Sequence, residues 1–193
     1  MLKKILIAVA AAIAALLAVV ATRPAGFQVE RSASVPAPPA VVYAQVSDFG
    51  RWAAWSPWEK LDPAMKKELA GAPGTVGHSY HWVGNDQVGE GRMTIVSARP
   101  GSGVDIRLEF LEPWQATNAT SISAAAEGAG SRVTWTMTGT NNFMMKAMTL
   151  FMDMDKMVGG DFERGLANLK SVAEAEAARA AVAPPAPAAG SSP

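Results

Sequence analysis

Residues 104–110, VDIRLEF, alternate apolar and charged side chains without exception. Successive side chains of a β-strand point to opposite faces. The pattern therefore buries Val104, Ile106, Leu108 and Phe110 on one side and leaves Asp105, Arg107 and Glu109 in water. A sheet built from such strands has one apolar face, and that face needs a cover.

Moving outward, strand patterns separated by turn residues continue in both directions. His78 to Val83 sets Tyr80 and Trp82 against Ser79, His81 and Val83, and Gly84-Asn85-Asp86 supplies hairpin chemistry after it. Gly89 to Ala98 carries Met93 and Ile95 on one face, and RPGSG at 99–103 reads as a turn. Residues 115–126 are rich in Thr, Ser and Ala, and Val133, Trp135 and Met137 alternate with Arg132, Thr134, Thr136 and Thr138. Lys67 to Leu69 is a short further strand. Together these predict an antiparallel, one-sided sheet. The cover is expected from about Met144 to Glu176, where Ala147, Phe151, Met154, Val158, Phe162, Gly165 and Leu169 recur at helical spacing. One helix of roughly 30 residues is predicted there, with Gly159-Gly160 marking a kink or a close approach.

Upstream, FQVERSASV at 27–35 places Phe27, Val29 and Val35 on one parity as a first strand, and the prolines at 36, 38 and 39 end it and open a short helix to about Gly50. Trp52, Trp55 and Trp58 follow three apart, on a second short helical turn. Downstream, 173–193 lacks the aromatic and branched residues that fold a chain and reads as a disordered Ala/Pro-rich tail.

The N-terminal segment differs in kind. No charged residue occurs from Ile5 to Thr22, between Lys3-Lys4 and Arg23. As a helix these residues span about 27 Å, close to a hydrocarbon core of ~30 Å. Residues 1–26 thus read as a membrane anchor, with a cleaved secretory signal as the alternative because Val19-Val20-Ala21 loosely fits a cleavage site. Either way the two lysines keep the N-terminus in the cytoplasm and send the domain, residues 27–172, to the other side. Once Lys3, Lys4, Arg23, Arg179, Glu174 and Glu176 are set aside, 13 basic and 15 acidic residues remain in 27–170. No clustered basic footprint for nucleic acid is visible, so nucleic-acid binding is not expected. The absence of cysteine excludes disulfides and thiolate chemistry.

The order strand, short helices, antiparallel strands, long C-terminal helix resembles the helix-grip α+β fold of the START-like (SRPBCC) superfamily, which includes Bet v 1. Three stretches are similar to its polyketide cyclase/dehydrase-like members: FQVERSASVPAPPAVVYAQVSDFGRWAAWSPW at 27–58, GTVGHSYHWVGNDQVGEGRMTIVSARP at 74–100 with its W-x-G-N-x-x-V-G-x-G core, and FERGLANLK at 162–170. The resemblance implies a curved sheet wrapped around the long helix, with a cavity for apolar ligands between them. Strand parity and helix periodicity then place Tyr80, Trp82, Met93, Ile95, Ile106, Leu108, Phe110, Trp135, Met137, Phe151, Met154 and Val158 around that cavity. Seven of the ten methionines fall between Met137 and Met157. Such flexible side chains fill irregular apolar space, either as cavity wall or as ordinary core.

Residues for chemistry are few. His78 and His81 have opposite strand parity and cannot share a metal ion from one face, so no metal site is expected. His78, His81, Tyr80 and Glu90 are candidate acids or bases, but no nucleophile pairs with any of them. Gly84-Asn85 and Gly89-x-Gly91 lack the G-x-G-x-x-G spacing and a following helix, so no cofactor is expected. The sequence predicts a membrane-tethered START-like domain outside the cytoplasm that binds a hydrophobic small molecule or lipid. A cyclase- or hydratase-type enzyme and a ligand-free cell-envelope interaction module are the alternatives.

Overall fold

A computed structural model describes residues 1–182. An N-terminal helix α1 (Leu2–Thr22) leads through three residues into β1 (Gly26–Val35). Pro39 opens α2 (Pro39–Val46), where its missing N–H costs nothing, and two 3₁₀ turns follow at Phe49–Ala54 and Pro57–Lys60. The side chain of Asp48 starts the first turn by accepting the Gly50 N–H. Then come β2 (Lys66–Ala70), β3 (Ser79–Val83), β4 (Glu90–Arg99), β5 (Gly103–Glu112), β6 (Ala116–Glu127) and β7 (Gly130–Thr140). Two helices complete the described chain, α3 (Phe143–Met148) and α4 (Met154–Val182).

The seven strands form one antiparallel sheet in the order β1-β7-β6-β5-β4-β3-β2, a meander from β2 to β7 with β1 returned beside β7. This is the helix-grip arrangement. The inward face carries Val29, Val35, Tyr80, Trp82, Ile95, Val104, Ile106, Ile122, Val133, Trp135 and Met137, all buried beneath α4 and α2. The register makes this face continuous, since directly paired residues such as Ile95 and Ile106, Ile122 and Trp135, or Val29 and Met137 lie on the same side. The free edge at β2 is short and carries Lys66, Lys67 and Glu68, which discourages edge-to-edge pairing.

One inward position on β1 is charged. Arg31, opposite Trp135, reaches α4 and pairs with Asp155 at 2.9 Å and Glu163 at 2.8 Å. Its guanidinium lies where a Cβ on Gly159 would stand, 2.1 Å away. Of the two readings for Gly159-Gly160, the structure shows the close approach: α4 runs through both glycines unbroken.

Two expectations need correction here. The predicted single helix from Met144 is two helices, because Thr149 ends α3 and Asp153 starts α4 by accepting the Lys156 N–H at 3.1 Å. An Asx cap inside the apolar periodicity outweighed the periodicity itself. The expected tail also does not begin at residue 173. α4 extends to Val182 and buries Ala173, because AEAEAARAAV is poor in aromatics but rich in strong helix formers. The rest of the expected tail, 183–193, lies outside the described residues.

Candidate functional site

Between the N-terminal half of α4 and the inner sheet face lies an apolar cavity of about 230 Å³. Its floor is Tyr80 and Trp82 on β3, Met93 on β4, Leu108 and Phe110 on β5, and Trp135 and Met137 on β7. Val158 and Asp161 of α4 close it from above, and Trp58, Glu59 and Met65 from the side. A shallower depression, lined mostly by outward-facing residues such as Val96, Arg107 and Thr138, lies on the other side of the sheet and is far more open to solvent.

Aromatic rings shape the cavity. The rings of Trp135 and Phe162 stack at 4.3 Å and 6°, and Trp55 and Trp58 meet Trp135 edge-on at 5.6 and 5.7 Å. The tryptophans spaced three apart thus converge on one strand residue from two 3₁₀ turns. Gly165 permits this packing, since a Cβ there would come within 2.7 Å of the Trp135 ring. On the other side Trp82 stacks on Tyr80 at 6.0 Å and meets Phe110 edge-on at 6.2 Å, while its indole N–H donates to the Val88 carbonyl at 3.0 Å.

The cavity has one polar end. The Tyr80 hydroxyl donates to Glu59 Oε1 at 2.8 Å, and the Lys67 ammonium pairs with Glu59 Oε2. The Glu59 side chain is only 8% exposed. Burial, and then the neighbouring Glu59, push the Tyr80 phenol above its ordinary pKa, so it stays a hydrogen-bond donor near neutrality. Deeper in the wall, the Thr120 hydroxyl and the Trp135 indole N–H are buried without a protein partner. They are diagonal neighbours on β6 and β7, since Thr120 pairs with Met137 and Trp135 with Ile122. Unpartnered buried donors of this kind each cost about 1–3 kcal/mol.

Eight of the twelve residues placed around the cavity from sequence line it: Tyr80, Trp82, Met93, Leu108, Phe110, Trp135, Met137 and Val158. Four do not. Ile95 and Ile106 are on the expected face but pack solidly in the core away from the cavity. Phe151 is 85% exposed and Met154 sits at the first turn of α4, off the cavity wall, because the break before α4 removes both from the inward stripe. The methionine cluster at 137–157 contributes Met137 alone to the wall. Met65 and Met93 from outside the cluster join it, whereas Met144, Met148, Met152 and Met157 are exposed.

The candidate acids and bases separate in the same way. His78 is buried off the cavity, accepting the Phe49 N–H at Nε2 and facing the Ala70 and Gly71 carbonyls at Nδ1, a role that holds two loops together. His81 points outward and pairs with Glu90 at 3.0 Å. Only Tyr80 reaches the cavity. Glu59 was missed because a Glu in a polar turn (PWEK) carries no periodic signal of burial. Thr120, in a run of small polar residues, was equally silent.

The profile of a family described as "Polyketide cyclase / dehydrase and lipid transport" matches residues 26–174. No curated protein matches the chain. Among solved structures, a protein from Chromobacterium violaceum is similar with a TM-score of 0.56 at 14% identity, over 76% of this chain and 96% of that one. Ara h 8.0201 superposes with a TM-score of 0.53 at 15% identity, over 80% and 99%. The di-domain ARO/CYC StfQ from the steffimycin biosynthetic pathway gives 0.57 at 12% identity, over 80% of this chain and 52% of that protein. At these identities the likeness is one of fold.

Proposed function

This chain belongs to the polyketide cyclase / dehydrase and lipid transport family, and on that premise we propose that it is a membrane-tethered domain that holds a hydrophobic small molecule or lipid without covalent chemistry. The observation that carries this reading is the cavity, apolar on nearly all sides and polar at the Glu59–Tyr80 end. Such a lining suits an amphipathic ligand whose apolar body contacts Trp82, Met93, Leu108 and Met137 and whose polar group reaches Glu59 or Tyr80. At about 230 Å³ it lies below the roughly 300–1,000 Å³ typical of drug-sized sites, which favours a small ligand or part of an acyl chain. Binding is favoured over catalysis because both Glu59 oxygens are already engaged and Tyr80 holds its proton. The other carboxylate of the lining, Asp161, is paired with Arg164.

The tether is α1. Its 21 residues span about 31 Å, and among them only Val20 is buried. Lys3-Lys4 in its first turn and Arg23 after it favour a cytoplasmic N-terminus with the domain on the opposite side. The test is extraction of the full-length protein from its membrane, identification of co-purifying apolar molecules by mass spectrometry, and titration with an apolar fluorescent probe. The reading expects a stoichiometric co-purifying molecule and saturable, competitive probe uptake; neither appearing would remove it. A reporter active only outside the cytoplasm, fused after Pro193, should be active, and a silent one would reverse the orientation.

A further inference from the structure

The connection between β7 and α4 carries an apolar surface that the cavity does not use. Phe143, Met144, Met148, Phe151, Met152 and Met157 are all exposed, six large apolar side chains within fifteen residues. Scattered single exposures are ordinary; a run of this density marks a contact surface.

Backbone connectivity fixes where that surface lies. Arg23, Pro24 and Ala25 are all that separates the end of α1 from β1. A chain covers at most ~3.6 Å per residue, so β1 starts within roughly 15 Å of the helix end. The first rung of the sheet pairs Gly26 with Thr140, and the Asn141 N–H donates to the Ala25 carbonyl at 2.7 Å. Asn142 then caps α3 by accepting the Met145 N–H, and α3 packs against α1. The point where the apolar helix leaves the domain and the point where the exposed Phe/Met run begins are therefore neighbours, held by backbone hydrogen bonds.

We infer that the exposed apolar side chains of residues 143–157 sit in the interfacial layer of the bilayer that α1 spans. The cavity, whose wall takes in Val158 one residue after Met157, then lies against the membrane rather than facing away from it. The inference rests on the reading of α1 as a membrane anchor. Charge does not drive the docking: Lys146 and Lys156 balance Asp153 and Asp155 within the segment. Apolar area is what it offers, so neutral lipid is sufficient.

The chain has no cysteine, so single-cysteine variants each carry one label. Full-length protein is reconstituted in phosphatidylcholine vesicles that contain a lipid-borne quencher. A fluorophore is placed at Ala12→Cys in α1, at Phe151→Cys, or at Glu68→Cys on β2, the sheet edge opposite β1. The labels at 12 and 151 should lose most of their fluorescence and the label at 68 should keep it. Position 12 quenched with 151 behaving like 68 would overturn the docking surface and leave the anchor intact. Position 12 unquenched would overturn the anchor, and the docking with it. Quenching at all three sites would mean non-specific adsorption and also count against the inference, as would a signal at 151 seen only in anionic vesicles and abolished by salt.

Discussion

The two halves of α4 cover the same sheet with opposite results. From Leu166 onward the helix is packed solidly: Leu166, Leu169 and Ala173 are buried, and Glu176 is tied to Gln45 and Arg51. Before Gly165 the helix stands over an open space, roofed by Val158 and Asp161. Side-chain shape accounts for the difference. Branched and small residues such as Val42, Val46, Ala124, Val133 and Ala173 are buried there in one core, and side chains of this shape interdigitate closely. Flat rings at Trp58, Tyr80, Trp82, Trp135 and Phe162 meet as stacks and edge-on pairs at centroid separations of 4.3 to 6.3 Å, and so hold the surfaces apart. In this domain a cavity opens where aromatic props replace aliphatic filling.

That comparison can be broken at the packed half first. Leu169→Ala should destabilise the domain by about 2–5 kcal/mol, because it leaves a hole that the surroundings cannot close. Denaturant unfolding measures this, and the folded fraction should still take up the apolar probe. A loss below ~1 kcal/mol would mean the C-terminal half is not tightly packed.

At the open half, Val158→Phe should do the reverse. The added volume enters the cavity, so stability should change by less than about 1.5 kcal/mol, the range of tolerated apolar swaps. Probe affinity should fall at least about tenfold, equivalent to ~1.4 kcal/mol. A large loss of stability with probe binding unchanged would show that the cavity is not where the probe goes.

The smallest effect sharpens the comparison rather than testing it. The Arg31 guanidinium holds the Asp155 carboxyl below its ordinary range. A depressed carboxylate contributes stability above its unfolded pKa, about 3.9, and loses it as pH falls through the lower folded value. Acidification through that window should loosen the first turns of α4 ahead of the packed half. Hydrogen exchange would show protection lost at residues 155–160 before 166–173. Arg31→Met should move Asp155 titration back toward the ordinary range, measurable by NMR.

Much of this fold is local and was therefore readable. Val104 to Phe110 could only be a half-buried strand, and the strands around it fall within two residues of their expected ends, because period-two alternation and turn chemistry act over a few neighbours. The apolar character of α1 is equally a property of consecutive residues. The helix break at Thr149–Asp153 was local too, but the Asp153 cap signal lay inside a stripe of apolar residues whose periodicity outvoted it.

What the sequence determined by itself is which faces of which elements are apolar, and hence the sheet, its covering helix and the membrane-length segment before them. Only the tertiary structure decided which of those apolar residues meet across empty space. Ile95 and Met93 are two residues apart on one strand face, yet one is locked in the core and the other lines the cavity. A cavity is a mismatch of volumes summed over residues far apart in the chain. The same holds for Glu59, a turn residue by sequence that is buried because Tyr80 and Lys67, brought over from β3 and β2, close on it. Pattern reports which way a side chain points, whereas what it finds there depends on the partners that the fold assembles.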